Sequence, residues 1–366
     1  MAWDKIWIGT TGDYSLYSNW TKISVRTSAY SWTASGSGTN EYYLRTSGSA
    51  NPSIGGTPGA VYINGSAATV GTAGTLAAGR WAYGDNDALG YSTIYVRLSD
   101  GTDPDSKAAD YVQFQSIPTA ADNVRIPRGS GTITSGLSQS SVAINNFTVE
   151  NGYTAAIASA SGYLEIDPDV FTFAGTGAAY INVGTAAIPL NVLSTATAVT
   201  GYQGLYLLGS AITVLTVYSG RVGLAAQAGE TSTVSSAVRS TGSNANIYLG
   251  SGCTLTGTTI DVNAGNVETD AAMITGNLNA GSLTLSKTAT ATTINLKGGL
   301  LNHDSSGTLG TLNCYSGTAD WQRSGLARTV TTINCYEGSY SLRLNKQAVT
   351  MTNGLTPQDT MVVTGS

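Results

Sequence analysis

The sequence predicts an all-β protein, a right-handed parallel β-helix with a small antiparallel β domain inserted near its N-terminus. Three observations lead there. Charged residues are only 11% of the 366, against about 25% in an average soluble protein, so long helices with solvated charged faces are not expected. Glycine is abundant, at 45 residues, among many Ser, Thr, Asn, Val and Ile, a composition suited to short strands and tight turns. The third observation is a strand-then-glycine phrase that recurs through the second half. With 41% hydrophobic residues the chain has the apolar content to bury a core, unlike disordered sequences of low hydrophobicity and high net charge.

The recurring phrase begins as Phe147-Thr-Val-Glu-Asn-Gly152, Leu215-Thr-Val-Tyr-Ser-Gly220 and Ile260-Asp-Val-Asn-Ala-Gly265. It continues as Gly276-Asn-Leu-Asn-Ala-Gly281, Ile294-Asn-Leu-Lys-Gly-Gly299, Leu312-Asn-Cys-Tyr-Ser-Gly317 and Ile333-Asn-Cys-Tyr-Glu-Gly338. From Gly265 onward the closing glycines are spaced 16, 18, 18 and 21 residues apart, and Tyr180-Ile-Asn-Val-Gly184 helps fill the earlier gaps. A period near twenty is the signature of a solenoid. Alternation places Ile260, Ile294, Leu312 and Ile333 inward with Val262, Leu296, Cys314 and Cys335, while Asp261, Asn295, Asn313 and Asn334 point out. One rung cannot bury its apolar face alone, but rungs stacked ~4.8 Å apart bury a continuous column. Glycine supplies the corner with positive φ. About 250 residues at about twenty per rung give about 12 rungs. Leucine-rich repeats and β-propellers are disfavoured because their signatures are missing.

The first third differs. Five of six tryptophans (Trp3, Trp7, Trp20, Trp32 and Trp81) lie there, and Glu41–Pro52 is an approximate duplicate of Thr93–Pro104. Each copy reads as part of an antiparallel meander closed by a Gly/Asp/Pro turn. The expected organisation is a cap over 1–20, the inserted β domain over 21–116 and the β-helix over 117–366. Thr356–Ser366 is expected to cover the far end of the helix or to pack on a neighbouring subunit, since open strand edges invite aggregation.

A family resemblance enters with the opening, Trp7-Ile-Gly-Thr-Thr-Gly-Asp-Tyr-Ser-Leu-Tyr-Ser-Asn-Trp20. It resembles the W-x-G-x-x-G-[DN]-[WY]-S-x-x-x-N-W start of many bacterial and phage β-helices. Their following P-x-x-x-D-x-V-x-I phrase is matched by Pro118-Thr-Ala-Ala-Asp-Asn-Val-Arg-Ile126, delayed here by the inserted domain. Tyr95-Val-Arg-Leu-Ser-Asp-Gly-Thr-Asp-Pro104 looks like a module common in tailed-bacteriophage virion proteins. The resemblance implies a virion surface protein of the decoration, fibre or spike kind. A homotrimer docked on other capsid or tail proteins is expected because three rods packed side by side bury more surface than one, and exposed tyrosines and tryptophans are candidates to stack on host-surface glycans. The chain departs from autotransporter passengers, which share the opening, in showing no signal peptide and no membrane barrel. It departs from longer tailspikes in that no acidic catalytic groove can be assigned.

Composition and motifs bound the chemistry. A net charge of −5 without a basic cluster argues against nucleic acid. The most apolar stretch, Gly204–Tyr218, is interrupted by Gly209, Ser210, Thr213 and Thr216, and falls short of the ~20 residues of a membrane helix. Synthesis in a host cytoplasm without a secretory signal, followed by residence in the virion, is the expected itinerary. The single histidine, His303, reads as a turn residue and offers no dyad or multi-histidine metal site. Cys314 and Cys335 read as stacked core residues, with a disulfide between them as the alternative. Asp85, Asp87, Asp100, Asp103 and Asp105 have calcium-like oxygens, but their spacing matches no calcium loop. No cofactor or metal is expected.

Glycoside hydrolysis would need two carboxylates ~5–9.5 Å apart. Candidates are Glu165, Asp167 and Asp169, with Asp261, Glu268 and Asp270 behind them. Asp167-Pro168-Asp169 reads first as a turn. The functional expectation is therefore a non-catalytic structural virion protein. A capsular-polysaccharide depolymerase and a bacterial surface adhesin are the alternatives.

Overall fold

The computed structural model describes residues 4–9, 11–26, 30–46, 56–120, 122–185, 187–196, 204–322, 327–336, 340–344, 349–351, 355–357 and 362–365. Its backbone is strand and turn. The only helical segments among the described residues are two three-residue 3-10 turns, Tyr17–Asn19 and Pro104–Ser106. Contacts divide the chain into two units, Met1–Leu137 with Ser141–Phe147, and Ser138–Ser140 with Thr148–Ser366.

The second unit is a parallel β-solenoid of about 10 turns. Strands of successive coils pair in parallel and in register. One inward column runs Leu215, Val238, Ile260, Gly276, Ile294, Leu312, Ile333. The adjacent one runs Val262, Leu278, Leu296, Cys314, Cys335, all at most 1% exposed. The coils are unequal. Leu215, Val238 and Ile260 are separated by 23 and 22 residues, longer than the late repeats, so fewer turns fit than the expected dozen. The apolar stretch at Gly204 is two solenoid strands, Leu205–Leu208 and Ile212–Val217. No helix among the described residues is long and apolar enough to cross a membrane. Leu355–Pro357 and Val362–Gly365 add one more coil of backbone pairing, while 358–361 and 366 lie outside the described residues.

The glycine corners have two reasons to be glycine. Gly220, Gly265, Gly281, Gly299 and Gly317 all have φ between 69° and 98°, a region costly for other residues. They also stack: a Cβ on Gly317 would lie 2.7 Å from the Gly299 carbonyl oxygen. Gly338 lies outside the described residues.

In the first unit Asp4–Ile6 pairs in parallel with Asn123–Ile126. The opening motif folds onto this pair as an aromatic knot. Trp7, Tyr14 and Trp20 are at most 1% exposed and meet edge to face, with Trp7–Trp20 centroids 5.3 Å apart and Tyr14–Trp20 centroids 4.8 Å apart. The indoles donate to the Gly131 and Tyr14 carbonyls, and Asn19 donates to Thr11 and to the Asp13 carbonyl. Trp3 lies outside the described residues. A four-stranded sheet (Ile23–Ser24, Val112–Gln115, Ala60–Ile63, Ser66–Ala67) and a five-stranded sheet (Tyr30–Ala34, Tyr42–Thr46, Thr93–Arg97, Arg80–Gly84, Thr69–Val70) complete the unit. They share a core of Trp32, Leu44, Val61, Trp81, Val96 and Phe114. The duplicated segments pair antiparallel with each other, Tyr42 opposite Val96 and Tyr43 opposite Tyr95.

Lys5 is a buried cation in this unit. It is fully enclosed, donates to Ser116 Oγ at 2.7 Å, lies 3.8 Å from Asp122 and sits 4.5 Å from the Phe114 ring. Burial pulls its pKa down to about 8, and Asp122 only partly offsets that.

Two predictions arise from this packing. Ile294→Asp puts an unpaired charge in a sealed column and is expected to yield no soluble folded protein, whereas Asn295→Ala, outside the core, costs only about 1–2 kcal/mol by urea denaturation. For Lys5, the unfolded chain holds more protons than the folded one between pH 8 and 10.5, so native stability rises as pH climbs through that window. Lys5→Met removes that pH dependence but leaves the buried Asp122 carboxylate without its cation, and is expected to cost about 3–5 kcal/mol at pH 7, read by tryptophan fluorescence.

Candidate functional site

Glu165, Asp167 and Asp169 sit in one strand, Leu164–Phe173, and Asp167–Asp169 is not a turn. The strand stays extended because Leu164, Ile166, Pro168, Phe171 and Phe173 all anchor inward, leaving proline no ladder role to disrupt at that point. Glu165 and Asp167 therefore share a face, their Cα atoms ~6.7 Å apart, and Asp169 is exposed beside Val170. None of the three carboxylates makes a hydrogen bond or ion pair with a described residue. Glu165 and Asp167 are a pair by spacing alone.

A more interconnected group lies further along. Tyr248 faces Glu268 on the next coil, and Glu268 and Asp270 follow each other at the same-face spacing. Asp270 is 4% exposed and accepts from the Tyr248 hydroxyl at 2.5 Å and from the Lys287 ammonium. Its Oδ1 is buried without a hydrogen-bond partner among the described residues. Glu268 accepts from Ser286 at 2.8 Å. Burial first, then the hydrogen bond to Asp270, raises the Tyr248 phenol above its ordinary pKa. The carboxylate of Asp270 likewise raises Lys287. A phenol held protonated and an ammonium held charged cannot act as bases at neutral pH. The sequence showed the two acids but not the tyrosine and lysine, which reach them only through coil stacking.

Asp261 belongs to another structure altogether, a ladder of outward amides. The Nδ2 of Asn277 donates to Asp261, Asn295 to Asn277, Asn313 to Asn295 and Asn334 to Asn313, at 2.8–2.9 Å. Arg239 lies 3.7 Å from Asp261 at the head of the ladder. Beside it, two residues earlier on each strand, Thr259, Thr275, Thr293, Thr311 and Thr332 stand in register.

His303 is not in a turn. It ends the strand Leu300–His303, fully buried, in register with Leu285. Trp321 Nε1 donates to its Nδ1 at 2.9 Å, which leaves Nε2 as the protonated nitrogen, 3.3 Å from the Gly307 carbonyl. Burial lowers its pKa to about 4, aided by the nearby Arg328 cation. The three cysteines are free and buried. Cys314 stacks on Cys335 in the inward column, and burial together with Cys335 raises its thiol pKa.

The aspartates of the first unit tie loops. Asp85 accepts from the amides of Leu89 and Gly90, Asp87 from Ser35 and Ser37, and Asp103 from the Asp105 amide. Asp105 holds Arg26 and the Trp32 amide. Asp100 pairs with Lys107, whose ammonium holds that carboxyl well below the usual range. Among the described residues no three His, Cys, Asp or Glu side chains gather as a metal site.

The described residues form at least two open hollows. One of about 500 Å³ in the first unit is lined by Trp81, Tyr83, Asp85 and Asn86 among others. The other, about 530 Å³ in the solenoid, is lined by Asn182, Ser210 and Glu230 among others. Each holds a single carboxylate, and each is engaged: Asp85 by the loop amides above, Glu230 by Tyr163, Gln227 Nε2 and the Gln227 amide. Comparison of the chain with protein families, with curated proteins and with solved structures returns no match.

One prediction concerns His303. Between about pH 6.5 and 4 the unfolded chain binds a proton that the folded one refuses, so stability is full above pH 6.5 and falls by about 3 kcal/mol as pH drops toward 4. His303→Gln keeps an acceptor for Trp321 without a titrating ring. Its urea midpoint, followed by circular dichroism, is expected to vary less over that range than the parent's.

Proposed function

We propose that this chain is a non-catalytic structural protein of a tailed-phage virion. In this reading it is made in the host cytoplasm and displayed on capsid or tail as a decoration protein, head fibre or spike. It self-associates as a homotrimer, docks on other virion proteins and contacts host-surface glycans. The observation that carries the non-catalytic part is the state of the hollows. Each offers one carboxylate, already bound by its own loop, where glycoside hydrolysis needs two facing a substrate. The opening motif and the Tyr95–Pro104 module support the virion part. A stacked β core suits a particle surface exposed outside a cell, because each coil is held by both neighbours.

A second reading, a polysaccharide depolymerase, is favoured by one arrangement: Asp270 held by Tyr248 and Lys287, two residues on from the exposed Glu268. The adhesin alternative rests on the shared opening motif alone.

Incubating the purified full chain with envelope polysaccharide from a bacterial host separates these readings. No new reducing or unsaturated ends are expected over the time in which a characterised depolymerase digests the sample. Oligosaccharide release that is lost in Asp270→Asn, or in Glu165→Gln, Asp167→Asn or Asp169→Asn, would replace the structural reading with the enzymatic one.

A further inference from the structure

Among the described residues, the solenoid unit exposes five large apolar side chains: Val170, Leu193, Tyr218, Ile274 and Tyr315, between 36% and 47% accessible. They are not scattered. Val170 precedes Phe171, which aligns with Leu190 and Leu215, so it heads the column that continues into the threonines. Leu193, Tyr218 and Tyr315 each follow the last paired residue of their strand, and their amides bond back to the preceding coil at Phe173, Val192 and Leu296. That makes them one column on the other side of the asparagine ladder. Ile274 immediately precedes Thr275. Val170, Leu193, Tyr218 and Tyr315 therefore lie on one face of one sheet, with Ile274 at its edge.

The rest of that face carries little charge. The asparagines are bonded to one another, and Tyr315 stacks on Tyr336 at 4.5 Å and 6°. Its charges are few: Arg239 and Asp261, paired with each other, and Lys297. Depletion of charge with retained tyrosine and aliphatic side chains is the composition of an interface centre, and exposed apolar side chains gathered on one face mark association.

We infer that this threonine–asparagine–tyrosine face is where copies of this chain pack against each other, solenoid beside solenoid. Size argues for a second copy as the occupant. Nine coils at ~4.8 Å and three columns at ~6.7 Å span roughly 40 by 15–20 Å, or about 600–800 Å² per copy, close to the ~800 Å² per partner of a stable interface. A face of near-zero net charge also meets its own copy without repulsion, whereas a differently charged partner would find no complementary charge on it. Each ladder asparagine spends one N–H and one oxygen lone pair inside the chain, so a covering copy has only its second N–H and the neighbouring threonine hydroxyls to meet. The inference deepens the self-association in the proposed function by naming its surface. It is tested separately, since neither result below depends on turnover.

The experiment is light scattering on the full chain after size exclusion, at several concentrations. The expected mass is a multiple of 37.5 kDa. Val170→Arg, Tyr218→Arg and Thr293→Arg each add a charge to the face without entering the core. Each is expected to weaken association at least tenfold while circular dichroism stays unchanged. Thr254→Arg, exposed on a strand outside the three columns, is the control and keeps the parental mass. A monomeric parent overturns the inference, and so does an oligomer that survives all three arginines. So too does a monomer that binds a polysaccharide through this face, which would make glycan its occupant.

Discussion

Stacking of one coil on the next at a fixed register is the constraint from which the solenoid's other properties derive. It is enforced at the corners, where Gly265, Gly281, Gly299 and Gly317 hold positive φ and pack glycine on carbonyl with no room for a Cβ. Once those corners coincide, alternation does the rest: Ile294 falls on Leu312, Leu296 on Cys314 and Asn295 on Asn313. A slip of one residue would turn the sealed apolar columns outward and bury the amides. The asparagine ladder fixes the same register from outside, because its bonds exist only between equivalent positions. Inner and outer columns therefore report a single geometric fact.

Much of this was legible in the sequence. The spacing of glycines and the phrase Ile-Asn-Leu/Cys gave the inward and outward columns residue by residue, since period-two alternation needs only local information. The coil count was less legible. Early coils vary in length, and no glycine phrase marks each of them. Two local readings failed for a shared reason. His303 and Asp167–Asp169 look like turns because Asn, Asp, Ser and Pro surround them, yet each lies in a strand. There, contacts from another coil, Trp321 for His303 and the inward anchors for the strand at Glu165, outweigh local preference. The buried Lys5 was equally invisible, because its partners Ser116 and Asp122 are more than a hundred residues away.

The polar groups of the solenoid differ in what they are free to do. Outward asparagines spend their hydrogen bonds on one another, and Glu230 spends its own on a loop. Asp270 and Asn302 each keep a buried oxygen without a hydrogen-bond partner among the described residues, although Tyr248 and Lys287 hold the other oxygen of Asp270. A surface so engaged offers shape and column spacing more than reactive groups, which suits the proposed attachment role.

Native-state hydrogen exchange tests the register account most directly. If coil stacking carries the stability, amides of the strands Met273–Leu278, Ala291–Leu296 and Thr308–Cys314 exchange together as one slow group, distinct from the antiparallel sheets of the first unit. Exchange of Ala291–Leu296 at the rate of exposed loops, or independently of its two neighbours, would contradict it.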